Sequence, residues 1–376
     1  MALELDVNTW ARQQFGDCNL GDARRTARAV QAAAQFAAHP SGSTPQQTEN
    51  WSDLKAIYRL LHEEDVTFDA LAEPHWQRTR ARTSGHYLLL GDTTTISCGT
   101  RGVRGMGIIE GRTTGYMLHS ELMVDAHSGE VIGLAGQTIH HRRPAPAGEK
   151  QRERSQRKRE SDIWGEVIDL IGAPPTDVRY THVFDRGADN FEVYCHLVQQ
   201  DCDWVLRIAQ LTRTLVTSDG RRCSVNQRLS ELPAAGVYAV TVQDNHQQVG
   251  RTAQVEVRFA SMQVPASRDR TPRVKQCGIT SVPIHLVEVR ELQPPRGVKP
   301  LRWVLSTSHT VTSLEEALTV VGYYEKRPII EEFHKALKTG CGIETRQYES
   351  AQPFETLTAL LSVVAVRLLQ LRSEAR

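Results

Sequence analysis

Apolar positions along this chain follow two periods, and each period marks out a different part of it. Between residues 86 and 306, short apolar or alternating runs predict strands at 87–90, 94–98, 116–124, 131–138, 181–184, 204–208 and 302–306, with helical periodicity at 162–170 and 190–198. The segments GVYAVTV, AQVEVRF and PIHLVEV alternate in the same way and predict a β-rich insertion before the last strand. Near the start, LGDARRTARAVQAAAQ predicts a helix capped by Asp22, with Arg24, Arg25 and Arg28 on it. The mixture is that of an α/β protein.

The segment from Tyr324 to Lys338, YEKRPIIEEFHKALK, predicts one helix with two opposed faces. At roughly 100° per residue, Tyr324, Arg327, Glu331, Lys335 and Lys338 share one side, and Ile329, Ile330, Phe333 and Leu337 gather on the other. His334 lies at the edge of the polar face and Glu332 off it. A carboxylate among cations is most often a solvated helix surface. Its alternative use is as one acid of a catalytic group, and two further acids are suitably placed.

Asp92 follows the apolar run HYLLLG, with TTTIS continuing as a second strand, and Asp185 closes the run THVF. Two strand-end carboxylates and one helix carboxylate can converge on a common ligand. An aspartate after a buried strand also serves as a turn or N-cap residue, so each acid alone has a structural explanation.

Composition narrows the chemistry further. With 376 residues there is room for two or three domains, and a net charge of +1 means that any binding of phosphates depends on local clusters. The dense charge run at 142–160 reads as an exposed loop that could touch nucleic acid. The glycine-rich stretch from Gly99 to Gly115 lacks the lysine and following helix of a phosphate-binding loop, and reads as a mobile loop. Seven cysteines without a CxxC pair argue against a zinc site or disulfide framework, and reduced thiols are expected. No signal peptide and no run of about 18 apolar residues is seen, so the expected location is cytoplasmic, with no membrane partner.

Tyr324, Arg327, Glu331 and Lys338, with two, three and six residues between them, resemble the YREK signature of the insertion sequence four family of bacterial DDE transposases. LGDARRTARAVQAAAQ, GDTTTIS, FDRGAD, LRWVLST, IEEFHKALKTG and LSVVAVRLLQLR resemble the family too, so the similarity spans essentially the whole chain. It implies a ribonuclease-H-like catalytic core over 76–376, a mixed five-stranded sheet flanked by helices, with a β-subdomain inserted at about 209–300 and a small helical amino-terminal DNA-end-binding domain over 1–75. The resemblance also implies that Asp92, Asp185 and Glu331 are catalytic and hold two Mg²⁺ ions, replaceable by Mn²⁺. Such hard cations suit carboxylate oxygens. Tyr324, Arg327, Lys338, Lys335 and Arg207 would contact DNA, as would Arg24, Arg25 and Arg28 at the element ends. Trp303 would stack a flipped base, with Pro328 standing where the family carries an aromatic.

The partners so implied are double-stranded DNA, as inverted-repeat ends and target, and a second copy of the chain in a synaptic homodimer acting on the bacterial nucleoid. The expectation from the resemblance is that the family's carboxy-terminal dimerisation domain is absent after LLQLRSEAR. Three functions stay open: a cut-and-paste transposase, a DNA-end-binding relic or inhibitor, and a structure-directed nuclease.

Overall fold

The computed structural model describes residues 6–100, 102–150, 153, 159–242, 250–267 and 271–374. Residues 151–152 and 154–158 of the 142–160 charge run therefore lie outside the described residues. Five helices open the chain: α1 (Val7–Phe15), α2 (Ala23–Ala38), α3 (Thr44–Gln47), α4 (Trp51–Leu61) and α5 (Phe68–Arg80). The cap predicted for α2 is present, with the Asp22 side chain accepting from the Arg24 backbone N–H.

A mixed sheet follows. Strands β1 (Gly85–Ser97), β2 (Gly107–Glu110), β3 (Thr113–Asp125) and β4 (Val131–His140) precede helix α6 (Asp162–Ile171), β5 (Val178–Phe184), helix α7 (Phe191–Gln199) and β6 (Asp203–Arg207). The central order is β4-β3-β1-β5-β6, with β1 antiparallel to β3, and β1, β5 and β6 parallel to one another. These five strands match the expected mixed order but are only part of a larger sheet.

Three expectations change. Residues 87–90 and 94–98 are not separate strands, because β3 pairs with β1 without interruption from Tyr87 to Ser97. Asp92 therefore sits within a strand. The Gly99–Gly115 stretch is not only a loop, since β2 forms in it and pairs with β3. Nor, among the described residues, does the insertion make a sheet of its own. Strands β7 (Thr214–Val216), β8 (Arg222–Ser224), β9 (Gly236–Val242), β10 (Arg251–Pro265) and β11 (Ser281–Glu291), with helices α8 (Val225–Glu231) and α9 (Pro272–Cys277), continue the central sheet. The join is β12 (Arg302–Thr307), which pairs with β6 on one side and β11 on the other, giving a 12-stranded sheet.

Alternation along β1 assigns the two faces. Leu88 and Leu90 enter a core shared with the amino-terminal helices and the last helix, α12 (Ala351–Glu374), whereas Leu89 enters the core under α6 and α7. Because one continuous core runs from Trp10 to Leu369, the amino-terminal helices share their apolar centre with the sheet. Helix α5 also runs through residue 75, where the resemblance implied a boundary.

Helix α12 is apolar nearly all round, and its surroundings explain why. Among the described residues it is the one helix long and apolar enough to cross a membrane, and 78% of its most apolar window is buried inside the protein. Thr356, Thr358, Ser362 and Arg367 interrupt the run, which hid the helix from a search for unbroken apolar sequence.

The predicted single helix from Tyr324 to Lys338 is broken into three pieces. Helix α10 (Leu314–Glu325) carries Tyr324, helix α11 (Pro328–Lys335) carries Glu331, and a π-helical turn over Ala336–Gly340 carries Lys338. The break has a local cause. Pro328 has no N–H to give a preceding turn, and it is tolerated as the first residue of the new helix.

Candidate active site

Strand register brings the two aspartates together. The last pair between parallel β1 and β5 is Leu90 with Val183, so Asp92 and Asp185 each lie two residues beyond it. Leu90 and Val183 enter the same core, and the two-residue period carries both acids towards that face, where α11 packs. Past this point β1 continues against β3, and β5 ends in a 3₁₀ turn over Arg186–Ala188. The Asp185 carboxylate caps that turn, accepting from the Gly187 N–H at 2.8 Å. Gly91 permits the close approach of the strands, since a Cβ there would stand 2.3 Å from Phe184 Cε1.

Glu331 completes the group, and one arginine ties all three acids. Arg327 Nη1 lies 2.5 Å from Glu331 Oε1, and Nη2 lies 3.1 Å from Asp92 Oδ1 and 3.8 Å from Asp185 Oδ2. Arg327 occupies the junction between α10 and α11, one turn before Glu331, so its fork spans the helix carboxylate and the strand ends at once.

Burial pushes the Asp92 carboxyl up to about 6, against the pull of Arg327 and with the help of the nearby Asp185 charge. Burial would depress the Arg327 guanidinium, and Asp92, Glu331, Asp185 and Tyr324 together outweigh it, so the group is held above its usual value. His334 Nδ1 stands 3.7 Å from Asp92 Oδ2. Burial, then the Lys338 and Arg327 charges, lower His334 to about 3, which leaves it neutral.

The other predicted residues divide into those near the acids and those away from them. Lys338 Nζ lies 3.6 Å from Glu344 Oε1, which also accepts from the Ser97 N–H at 2.9 Å, so Lys338 is held near the far end of β1. Tyr324 is buried instead of lying on an open face, because α10 turns it inward. Its hydroxyl is 3.4 Å from Arg207 Nη1, and the Trp303 ring packs edge-on against it with centroids 5.6 Å apart. Lys335 is exposed, and Glu332 pairs with Arg372 at 3.0 Å, off the acid face as its position predicted.

In the amino-terminal helices, Arg24 is the most open of the three arginines, with a side chain 92% exposed beside Asp22. Arg25 pairs with Glu63 and Asp65, and Arg28 with Asp53, so both also tie α2 to α4 and the turn after it.

Some neighbours of the acids escaped sequence reasoning. His334 was placed only at the edge of a face, and Glu344 carried no motif at all. Arg186, Lys299 and Arg302, which no motif marked, join the expected Arg207 and Trp303 in lining a cleft of about 770 Å³. Its basic residues come from separate elements, so no run of charge announced it.

The acids suit a hard divalent cation by donor type, three carboxylates facing one another with one guanidinium between them. Among the described residues no three metal-binding side chains close around a common point. The Arg327 fork stands among the acids that would have to do so.

A β4-β3-β1-β5-β6 sheet with carboxylates where its central parallel strands part is the architecture of ribonuclease-H-like enzymes that act on nucleic acids. A transposase DNA-binding family matches residues 7–66, and a transposase DDE domain family matches residues 149–366. The chain belongs to the DDE transposases: it is a DNA transposase, with DNA as its partner and an activity of the divalent-metal-dependent kind. The matched DDE span contains Asp185 and Glu331, and Asp92 joins them through Arg327.

Proposed function

We propose that this chain is a cut-and-paste transposase of the insertion sequence four family, of the kind carried by the composite kanamycin-resistance transposon, using Asp92, Asp185 and Glu331 as its acid triad. The observation that carries the reading is the convergence of those three carboxylates on Arg327 from two strand ends and a helix. When bound there, a pair of Mg²⁺ ions would activate the attacking oxygen and neutralise the departing one.

The chain's own residues bind and orient the strand. Scissile phosphate oxygens give Arg327 a new anionic partner, and the guanidinium can move from the acids to the DNA without losing charge compensation. Lys338, held beside β1 by Glu344, supplies a point charge to a neighbouring phosphate. Tyr324 acts from below the surface, setting Arg207 and Trp303 along the basic cleft. Trp303 on that wall offers a face on which an extruded base can stack, offsetting a few kcal/mol of unstacking. Arg24, exposed on α2, extends the phosphate contacts to the element end, and two copies of the chain pair the two ends.

The test is cleavage of a labelled duplex carrying the native element end in Mg²⁺, with Glu331→Ala alongside. A hairpin product from the unaltered protein alone supports the reading. Binding without cleavage by both proteins would replace it with a DNA-end-binding protein.

A further inference from the structure

We propose that Cys195 and Cys277 form a peroxide-responsive thiol pair, a modification site that joins helix α7 to the connection between β10 and β11. Cys195 is fully buried on α7, and Cys277 ends α9 partly exposed. Their Sγ atoms are 3.0 Å apart. A disulfide is about 2.05 Å long, so closing the bond needs a shift on the order of 1 Å. Among the described residues no other two cysteine sulfurs meet in this way.

The surroundings hold the sulfurs in place. The Thr271 hydroxyl donates to the Glu192 carboxylate at the start of α7. Arg273 Nη2 reaches Asp169 Oδ2 and Gln199 Oε1, each at 3.1 Å, and His196 Nδ1 at 3.0 Å. Polar contacts on both sides of the thiols therefore latch α9 onto α7, and the pair does not depend on a chance approach of two loops.

The two sulfurs differ in access, which sets the order of the chemistry. Burial pushes the Cys195 thiol up to about 12, so it stays protonated. Cys277, the accessible sulfur, attacks hydrogen peroxide as its thiolate. The O–O bond breaks, hydroxide leaves and a sulfenic acid forms. Cys195 Sγ then attacks the sulfenic sulfur as its proton passes to the leaving hydroxide. The S–S bond forms, the S–O bond breaks, and the hydroxide departs with the thiol proton as water. In sum, two thiols and one peroxide give one disulfide and two waters. The bond closes a loop of about 80 residues and fixes the β10–β11 connection to the helix after the Asp185 turn.

Stoichiometric hydrogen peroxide, followed by non-reducing peptide mapping of the full chain, tests this. The expected result is one intramolecular Cys195–Cys277 peptide, the loss of two titratable thiols, and a rise of about 5 °C in Tm that dithiothreitol reverses. Cys277→Ser, at a partly exposed position where folding should persist, must abolish both the cross-link and the Tm rise. Cys195 left free while Cys277 is over-oxidised or bridged to a second molecule would overturn the proposal. So would a Tm rise that survives in Cys277→Ser.

Discussion

Arg327 Nη2 lies 3.1 Å from Asp92 Oδ1, so the acid within β1 is compensated by a side chain from the junction of two helices. The same fork reaches Glu331 and Asp185, and it serves as the acids' counter-ion in the protein alone.

Replacing that counter-ion should expose the mutual repulsion of the acids. Arg327→Ala is expected to lower stability in EDTA by about 1–2 kcal/mol, a figure discounted because Glu331 is 58% exposed. Mn²⁺ should then raise Tm more in the variant than in the unaltered chain, since no guanidinium competes for the carboxylates. Equal Mn²⁺-induced shifts in both proteins would remove the counter-ion role.

Amide replacements separate chemistry from binding. Asp185→Asn and Glu331→Gln should each reduce cleavage by about 10³-fold or more, with DNA affinity in EDTA unchanged or a few-fold higher because a negative charge has left a phosphate-facing site. Gel-shift and cleavage assays on one labelled duplex read both quantities. Cleavage retained in Asp185→Asn would refute the assignment of the triad.

The raised Asp92 carboxyl sets an acid limit. Its pKa rises from 3.8 to about 6, so below pH 6 it carries a proton that competes with a divalent ion. Metal-dependent cleavage should fall by about tenfold per unit as pH drops below 6. The sign for stability is opposite: the folded protein holds this proton more tightly than the unfolded chain, so the Asp92 contribution to stability declines as pH rises from 3.8 to about 6. A cleavage profile flat from pH 7 to 5 would contradict the burial of Asp92.

Beneath the site, Glu121 Oε2 and His182 Nδ1 are 2.7 Å apart with both side chains fully buried. Burial alone would depress His182, and the Glu121 carboxylate together with Cys202 outweighs it and raises the imidazole to about 10, while burial also raises the Glu121 carboxyl. The stabilisation is complete below pH 6.5, the unfolded value, and is lost as pH rises through about 10. Glu121→Gln should cost about 3–5 kcal/mol by leaving the imidazole without its partner, and should flatten the decline over that window. Denaturant melts at pH 6, 8 and 10 measure both effects, and identical pH slopes in the two proteins would count against the charged pair.

Lys338 offers a test of phosphate contact away from the acids. Lys338→Ala should weaken binding across unrelated duplex sequences and reduce the slope of log affinity against log salt by about 1. An unchanged slope would leave Lys338 as a partner of Glu344 alone.

Local features are legible in the chain. Apolar runs placed β3, β4, β5, β6 and β12, with helices α6 and α7, to within a few residues, because a buried strand or one-sided helix must write its period into the chain. Asp22 announced its cap, and the spacing of Arg327 and Glu331 put them on one face, because both relations lie within one helical turn. The remaining features depend on contacts between distant parts of the chain. Two expected strands became one because β3 pairs with the whole of β1, and the insertion joined the main sheet because β12 lies between β6 and β11. Tyr324 turned inward because the chain breaks before Pro328, and the later π turn repositions Lys338. The meeting of Asp92, Asp185 and Glu331 depends on strand register and helix docking across more than 200 residues, and no local period encodes a distance of that kind.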